Sequence, residues 1–94
     1  FWDAHLNFNH GTGHGIGLEF HEDPFVSFVT EAGTGPILVP GLCFTIEPMI
    51  NAGAQEIDMT DPNGWTVRTA DRSLTAQWEV QLAITEDGYE LLSW

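Results

Sequence analysis

From Leu74 to Thr85 (LTAQWEVQLAIT) apolar and polar side chains alternate almost without interruption, and few folds accept that period. Leu74, Ala76, Trp78, Val80, Leu82 and Ile84 fall on one side of an extended chain, and Thr75, Gln77, Glu79, Gln81, Ala83 and Thr85 on the other. A helix would scatter the apolar set around its axis, so the spacing predicts one strand over 74–85. Leu42 to Glu47 (LCFTIE) repeats the pattern, with Leu42, Phe44 and Ile46 on one face and Cys43, Thr45 and Glu47 on the other. Pro48 holds Glu47 extended and removes a ladder donor just beyond it, so this strand ends with a carboxylate at its tip.

Shorter runs read as strands at 18–22, closed by Asp23-Pro24, at 54–59 and at 65–69, where β-propensity is high. Phe25 to Val29 is a further apolar run, and Ile37-Leu38-Val39 is too short for more than a brief strand. Glu86-Asp87-Gly88 predicts a hairpin turn with a returning strand from Tyr89 to Trp94. Turn residues place loops at 10–17, 30–36, 40–41, 48–53, 60–64 and 70–73. Residues 1–9 show no clear period. The whole reads as an antiparallel β-rich unit with little helix.

The chain has 94 residues, so it is one domain or part of one, and a chain so short is only marginally stable alone. A hydrophobic fraction of 43% suits a globular fold. The net charge of −12, with Arg68 and Arg72 as the only basic side chains, argues against nucleic acid or an anionic membrane as a partner. No apolar run is long enough to span a bilayer as a helix, and no signal peptide is evident. Phe1-Trp2 looks like a cut through a longer pattern. The single cysteine, Cys43, sits in an apolar run and is expected to be a buried core thiol. Taken singly, Trp65 and Trp78 are residues found more often in a core than in a pocket.

Three of the four histidines lie within twelve residues, in His10-Gly-Thr-Gly-His14-Gly-Ile-Gly17 and Phe20-His21-Glu22-Asp23-Pro24. Glycines allow tight bends and close approach, and imidazole is a common metal ligand and proton shuttle. The spacing is not that of a helical HExxH zinc site. If the ends of these elements converge, His14, Glu47 and Glu79 offer one imidazole and two carboxylates. That donor set suits Mn, Fe, Co or Zn in the divalent state, and a carboxylate can bridge two such ions around a shared water. His21, close by, could then donate to a reacting carbonyl. Singly, each glutamate is an ordinary solvated strand residue, and the inference rests on their combination.

GHGIG (13–17), FHEDP (20–24), FTIEPMINAG (44–53), NGWTVRTADRSLTAQWE (63–79) and TEDG (85–88) closely resemble the C-terminal half of type I methionine aminopeptidase. The resemblance implies an α+β "pita-bread" fold with internal pseudo-twofold symmetry. Residues 1–94 would then be the C-terminal portion of a catalytic domain, mostly antiparallel β in the part present. It implies hydrolysis of N-terminal methionine from nascent peptides in the cytoplasm, with two divalent metal ions. It also implies that His14, Glu47 and Glu79 are metal ligands, with Glu47 also the general base and Glu79 bridging the ions. His21 would contact the scissile amide, and Phe20 and Trp65 would line the methionine side-chain pocket. The family draws two further ligand aspartates from upstream strands, so at most one ion is expected in this chain alone. His10, in HGTGHG, looks more like a substrate-binding histidine of the proline-specific relatives, aminopeptidase P and prolidase. Val80 stands where the methionine enzymes usually carry histidine. Two alternatives therefore stay open. One is an Xaa-Pro peptidase; the other is a catalytically silent half-domain that pairs with itself or with the missing half.

Overall fold

The computed structural model describes residues 12–94 and the backbone of His5–Leu6. Its strands are β1 (His5–Leu6), β2 (His14–Gly15), β3 (Glu22–Phe25), β4 (Cys43–Ile46), β5 (Met49–Asn51), β6 (Ile57–Asp58), β7 (Arg68–Thr69), β8 (Thr75–Gln77), β9 (Val80–Thr85) and β10 (Gly88–Ser93). They form a sheet ordered β10-β9-β4-β2-β3, a second ordered β1-β5-β8, and the β6-β7 pair, with every pairing antiparallel. No helix occurs among the described residues, so the helical part of the expected α+β class is not represented in them.

The two larger sheets share one register. In the first, Cys43, Phe44, Thr45 and Ile46 of β4 oppose Ala83, Leu82, Gln81 and Val80 of β9. In the second, Met49, Ile50 and Asn51 of β5 oppose Gln77, Ala76 and Thr75 of β8. Between them, Glu47-Pro48 faces Trp78-Glu79 with no residue gained or lost on either side. The single strand expected over 74–85 is thus two strands, broken at Trp78-Glu79. Pro48 on the opposite chain has no N–H to give, so the ladder lapses on both sides at once. The alternation survives the break, and Glu79 keeps the face it shares with Gln77 and Gln81.

Phe44 and Leu82, directly opposed, are the buried apolar side chains among the described residues. Gly15 opposes Phe44 from the other side, and Leu91 opposes Leu82. Besides Gly13 and Gly15, the remaining buried residues are polar: Thr12, Thr45, Asn51 and Thr69. Asn51 is satisfied locally, donating to the Ala54 carbonyl at 3.1 Å and accepting from the Thr75 hydroxyl at 2.6 Å. Large apolar side chains lie outside instead, among them Leu18, Ile37, Leu74, Trp78 and Trp94.

Other differences from the sequence reading have local causes. The strand expected at 18–22 lies at Glu22–Phe25 and contains Pro24 after a cis peptide bond. β3 is a sheet edge, where a missing N–H costs no pairing. Of the strand expected at 65–69 only Arg68–Thr69 pairs. The Asn63 side-chain oxygen accepts from both the Trp65 and Thr66 N–H groups at 2.9 Å, holding them in a turn. Trp65 and Trp78 are 88% and 66% exposed rather than core. The run at 37–39 is exposed and unpaired, and of 54–59 only Ile57–Asp58 is strand. Cys43 is half-buried, not a core thiol, with its Sγ 3.7 Å from the Gly41 carbonyl oxygen.

Three aspartates fasten the loops beside β6 and β7. Asp71 accepts from the Ala54 N–H at 2.8 Å and the Ser73 N–H at 3.1 Å. The Ala54 bond, first, and Ser73 beside it hold the Asp71 carboxyl down at about 2. Asp58 is lowered by Thr60 and then Arg72, and Asp61 by the Asn63 N–H and then Arg68. A carboxylate depressed on folding contributes stability that is full above its unfolded value and is lost as pH falls through the folded one. For Asp71 that window runs from 3.8 down to about 2. NMR titration is expected to place the Asp71 carboxyl at about 2, and Asp71→Asn to flatten the pH dependence of stability across the window. In urea unfolding, Leu82→Ala is expected to cost about 3 kcal/mol and the half-exposed Leu92→Ala under about 1 kcal/mol.

Candidate metal centre

His14 sits on β2, which lies between β4 and β3. Glycines on either side let the neighbouring chains close in. A Cβ at position 13 would strike the Thr45 carbonyl, and one at position 15 the Asp23 carbonyl. The contacts place His14 beside Thr45, whose hydroxyl accepts from the His14 N–H at 3.1 Å. One step further the Glu47 N–H donates to the Thr12 carbonyl at 3.0 Å, tying the end of β4 to the chain that carries His14. Glu79 reaches the same place through the register, since it stands across the ladder break from Glu47-Pro48.

The result is a cluster in which His14, Glu47 and Glu79 each offer a ligand atom, all within 4.8 Å of one another. The His14 Nε2 lies 3.0 Å from Glu47 Oε1, with both side chains largely shielded from solvent. His14 Nδ1 is 2.9 Å from the Gly15 carbonyl oxygen. A carbonyl only accepts, so Nδ1 carries a hydrogen there, and Nε2 is the nitrogen turned to the carboxylate. A proton on Nε2, or a cation held by both groups, satisfies that contact. One imidazole nitrogen with carboxylate oxygens is a donor set for a borderline divalent ion, so the residues present fit part of such a site.

Of the other residues singled out in the sequence, His21 lies beside His14, with ring centroids 4.3 Å apart and the planes tilted by 55°. Phe20 lies edge-on to His21 at 4.6 Å and 6.2 Å from the His14 ring, and it is 80% exposed. Trp65 lines a cavity of about 490 Å³ that also takes in Met49 and Gln77. Gln77 donates to Glu47 Oε2 at 3.3 Å, so this cavity borders the ligand cluster. His10 lies outside the described residues. Thr45 and Gln77 had no role in the sequence reading. The signal for both was alternation, which sets Thr45 on the face of Glu47 and Gln77 on the face of Glu79.

Comparison with known proteins gives a consistent result. Residues 1–86 match metallopeptidase family M24. The chain is 52% identical over 81 residues to the methionine aminopeptidase of Escherichia coli K12, covering 86% of this chain and 30% of that protein. It is 51% identical to the enzyme of that name from Chlamydia pneumoniae, covering 86% of this chain and 28% of the other. Among solved structures, methionine aminopeptidase from Rickettsia prowazekii superposes with a TM-score of 0.83 at 42% identity, over 96% of this chain and 36% of that one. The Thermotoga maritima enzyme gives 0.85 at 36% identity, over 97% and 36%. The fold is therefore that of the pita-bread methionine aminopeptidases, of whose length this chain spans about a third. Calorimetric titration with Mn²⁺ is expected to show binding weakened at least about tenfold by Glu47→Gln and by Glu79→Gln, and unchanged by Glu86→Gln at the distant hairpin.

Proposed function

The chain belongs to metallopeptidase family M24, and from that membership we propose that it is the C-terminal portion of the catalytic domain of a cytoplasmic methionine aminopeptidase, acting on the N-termini of nascent peptides. The observation that carries the reading is the meeting of His14, Glu47 and Glu79 within 4.8 Å. These residues hold one side of a site for two divalent ions, Mn, Fe, Co or Zn. The other side comes from two aspartates contributed by the rest of the domain, and this portion alone holds at most one ion. The ions supply Lewis acidity toward the peptide carbonyl and make a water acidic enough to attack at neutral pH.

The chain's own residues do the rest. Glu47, the general base, takes the proton from the attacking water, and its bond from Gln77 keeps the carboxylate in place. Glu79 would supply the carboxylate that serves both ions. His21 donates a hydrogen bond to the scissile amide and steadies the oxygen on which charge develops. Its ring is near the cluster, 4.3 Å from that of His14. Phe20 and Trp65 present apolar surface to the methionine side chain, a thioether that packs well against aromatic rings. The uncovered apolar face, with Leu74, Trp78 and Trp94 exposed, is where the rest of the domain packs.

The complete polypeptide carrying this sequence is expected to release methionine from a Met-Ala-Ser peptide with Mn²⁺ or Co²⁺, and His21→Ala to lower kcat about 100-fold or more with little change in metal binding. Cleavage of X-Pro peptides in place of Met-Ala-Ser moves the substrate to the proline-specific relatives. No cleavage of either sinks the peptidase reading and leaves a silent half-domain.

A further inference from the structure

Glu47 is a flexible side chain just past the end of a strand, yet both of its carboxylate oxygens are held. Oε1 accepts from the Thr45 hydroxyl at 3.1 Å, and Oε2 from Gln77 Nε2 at 3.3 Å. Gln77 Nε2 also lies 3.3 Å from the Glu47 main-chain carbonyl, so one amide spans the residue from backbone to tip. Thr45 is the more constrained partner. It is 1% exposed, and a hydroxyl has a single hydrogen. Its oxygen accepts from the His14 N–H at 3.1 Å, and its hydrogen goes to Glu47 Oε1. That oxygen is also the one 3.0 Å from His14 Nε2. A path of hydrogen bonds thus runs from the His14 backbone through Thr45 to the carboxylate that faces the His14 ring.

We propose that Thr45 and Gln77 are positioning residues, a two-point clamp that presets Glu47 against His14 before a divalent cation arrives. The proposal rests on the metal-centre reading above and adds to it the residues that make the site ready. Without the clamp Glu47 samples several rotamers, and binding has to select the one that meets His14. Thr45 acts through its hydroxyl, so serine keeps the function and valine, of nearly the same shape, loses it. Gln77 acts through its amide and is exposed, so its replacement leaves the packing alone.

The test is calorimetric titration of the complete polypeptide with Mn²⁺, with circular dichroism as a check on folding. Thr45→Val and Gln77→Leu are each expected to weaken Mn²⁺ binding about tenfold or more, and Thr45→Ser by less than about threefold. Equal binding by wild type and both clamp variants overturns the inference while leaving the metal centre intact. Equal damage from Thr45→Ser and Thr45→Val overturns the role of the hydroxyl and makes Thr45 a packing residue. If Thr45→Val does not fold, Gln77→Leu decides alone, and unchanged binding there rejects the clamp. Wild-type protein that binds no Mn²⁺ overturns the metal-centre reading and this inference with it.

Discussion

Phe44 and Leu82 face each other across the β4–β9 ladder, and the positions of both carboxylates are counted from that pair. Three residues beyond Phe44 is Glu47, and three residues before Leu82 is Glu79. An odd step along a strand changes face, so burying Phe44 and Leu82 on one side obliges both glutamates to the other. The hydrophobic contact thus has an effect out of proportion to its size. It fixes a register, and the register delivers two acids from distant parts of the chain to one place. β2 adds the third ligand by the same logic, since Gly15 opposite Phe44 leaves His14 on the side of Thr45.

The apolar half of this architecture is less complete than the polar half. Inside the described residues the buried set is mostly threonine and asparagine, each with a hydrogen-bond role, while tryptophans and leucines lie uncovered. An apolar sheet face in water is unfavourable, and a chain of this size has little else to offset it. Within the site, His14, Thr45, Glu47 and Gln77 are joined by hydrogen bonds among themselves.

How much of this could be read from the sequence varied with how local the cause was. The strand at 42–47 and the terminal hairpin were legible because alternation and turn residues act over a few positions. The break at Trp78-Glu79 was not, because its cause, Pro48, sits on the opposing strand some thirty residues away. The strand expected at 65–69 was lost to one side-chain oxygen, that of Asn63, which outbids a ladder for two N–H groups. Trp65 and Trp78 were read as core because large aromatics usually are, but burial depends on what packs against them. For the site, residue types and a long resemblance named His14, Glu47 and Glu79. Thr45 and Gln77 were hidden because a threonine and a glutamine on a strand announce nothing until their partners are placed.

The ladder lapses over two residues on each side and then resumes in the same register, which divides what this region can change from what it cannot. A side chain along 44–47 or 79–82 can be changed without turning its neighbours to the other face. Chain length there cannot. One residue inserted between Phe44 and Glu47, or removed between Glu79 and Leu82, would turn a carboxylate to the far face while leaving every propensity and most of the composition as before. The centre is therefore held by counting. A substitution costs what its own side chain contributes, whereas a single slip of the reading frame of faces empties the centre.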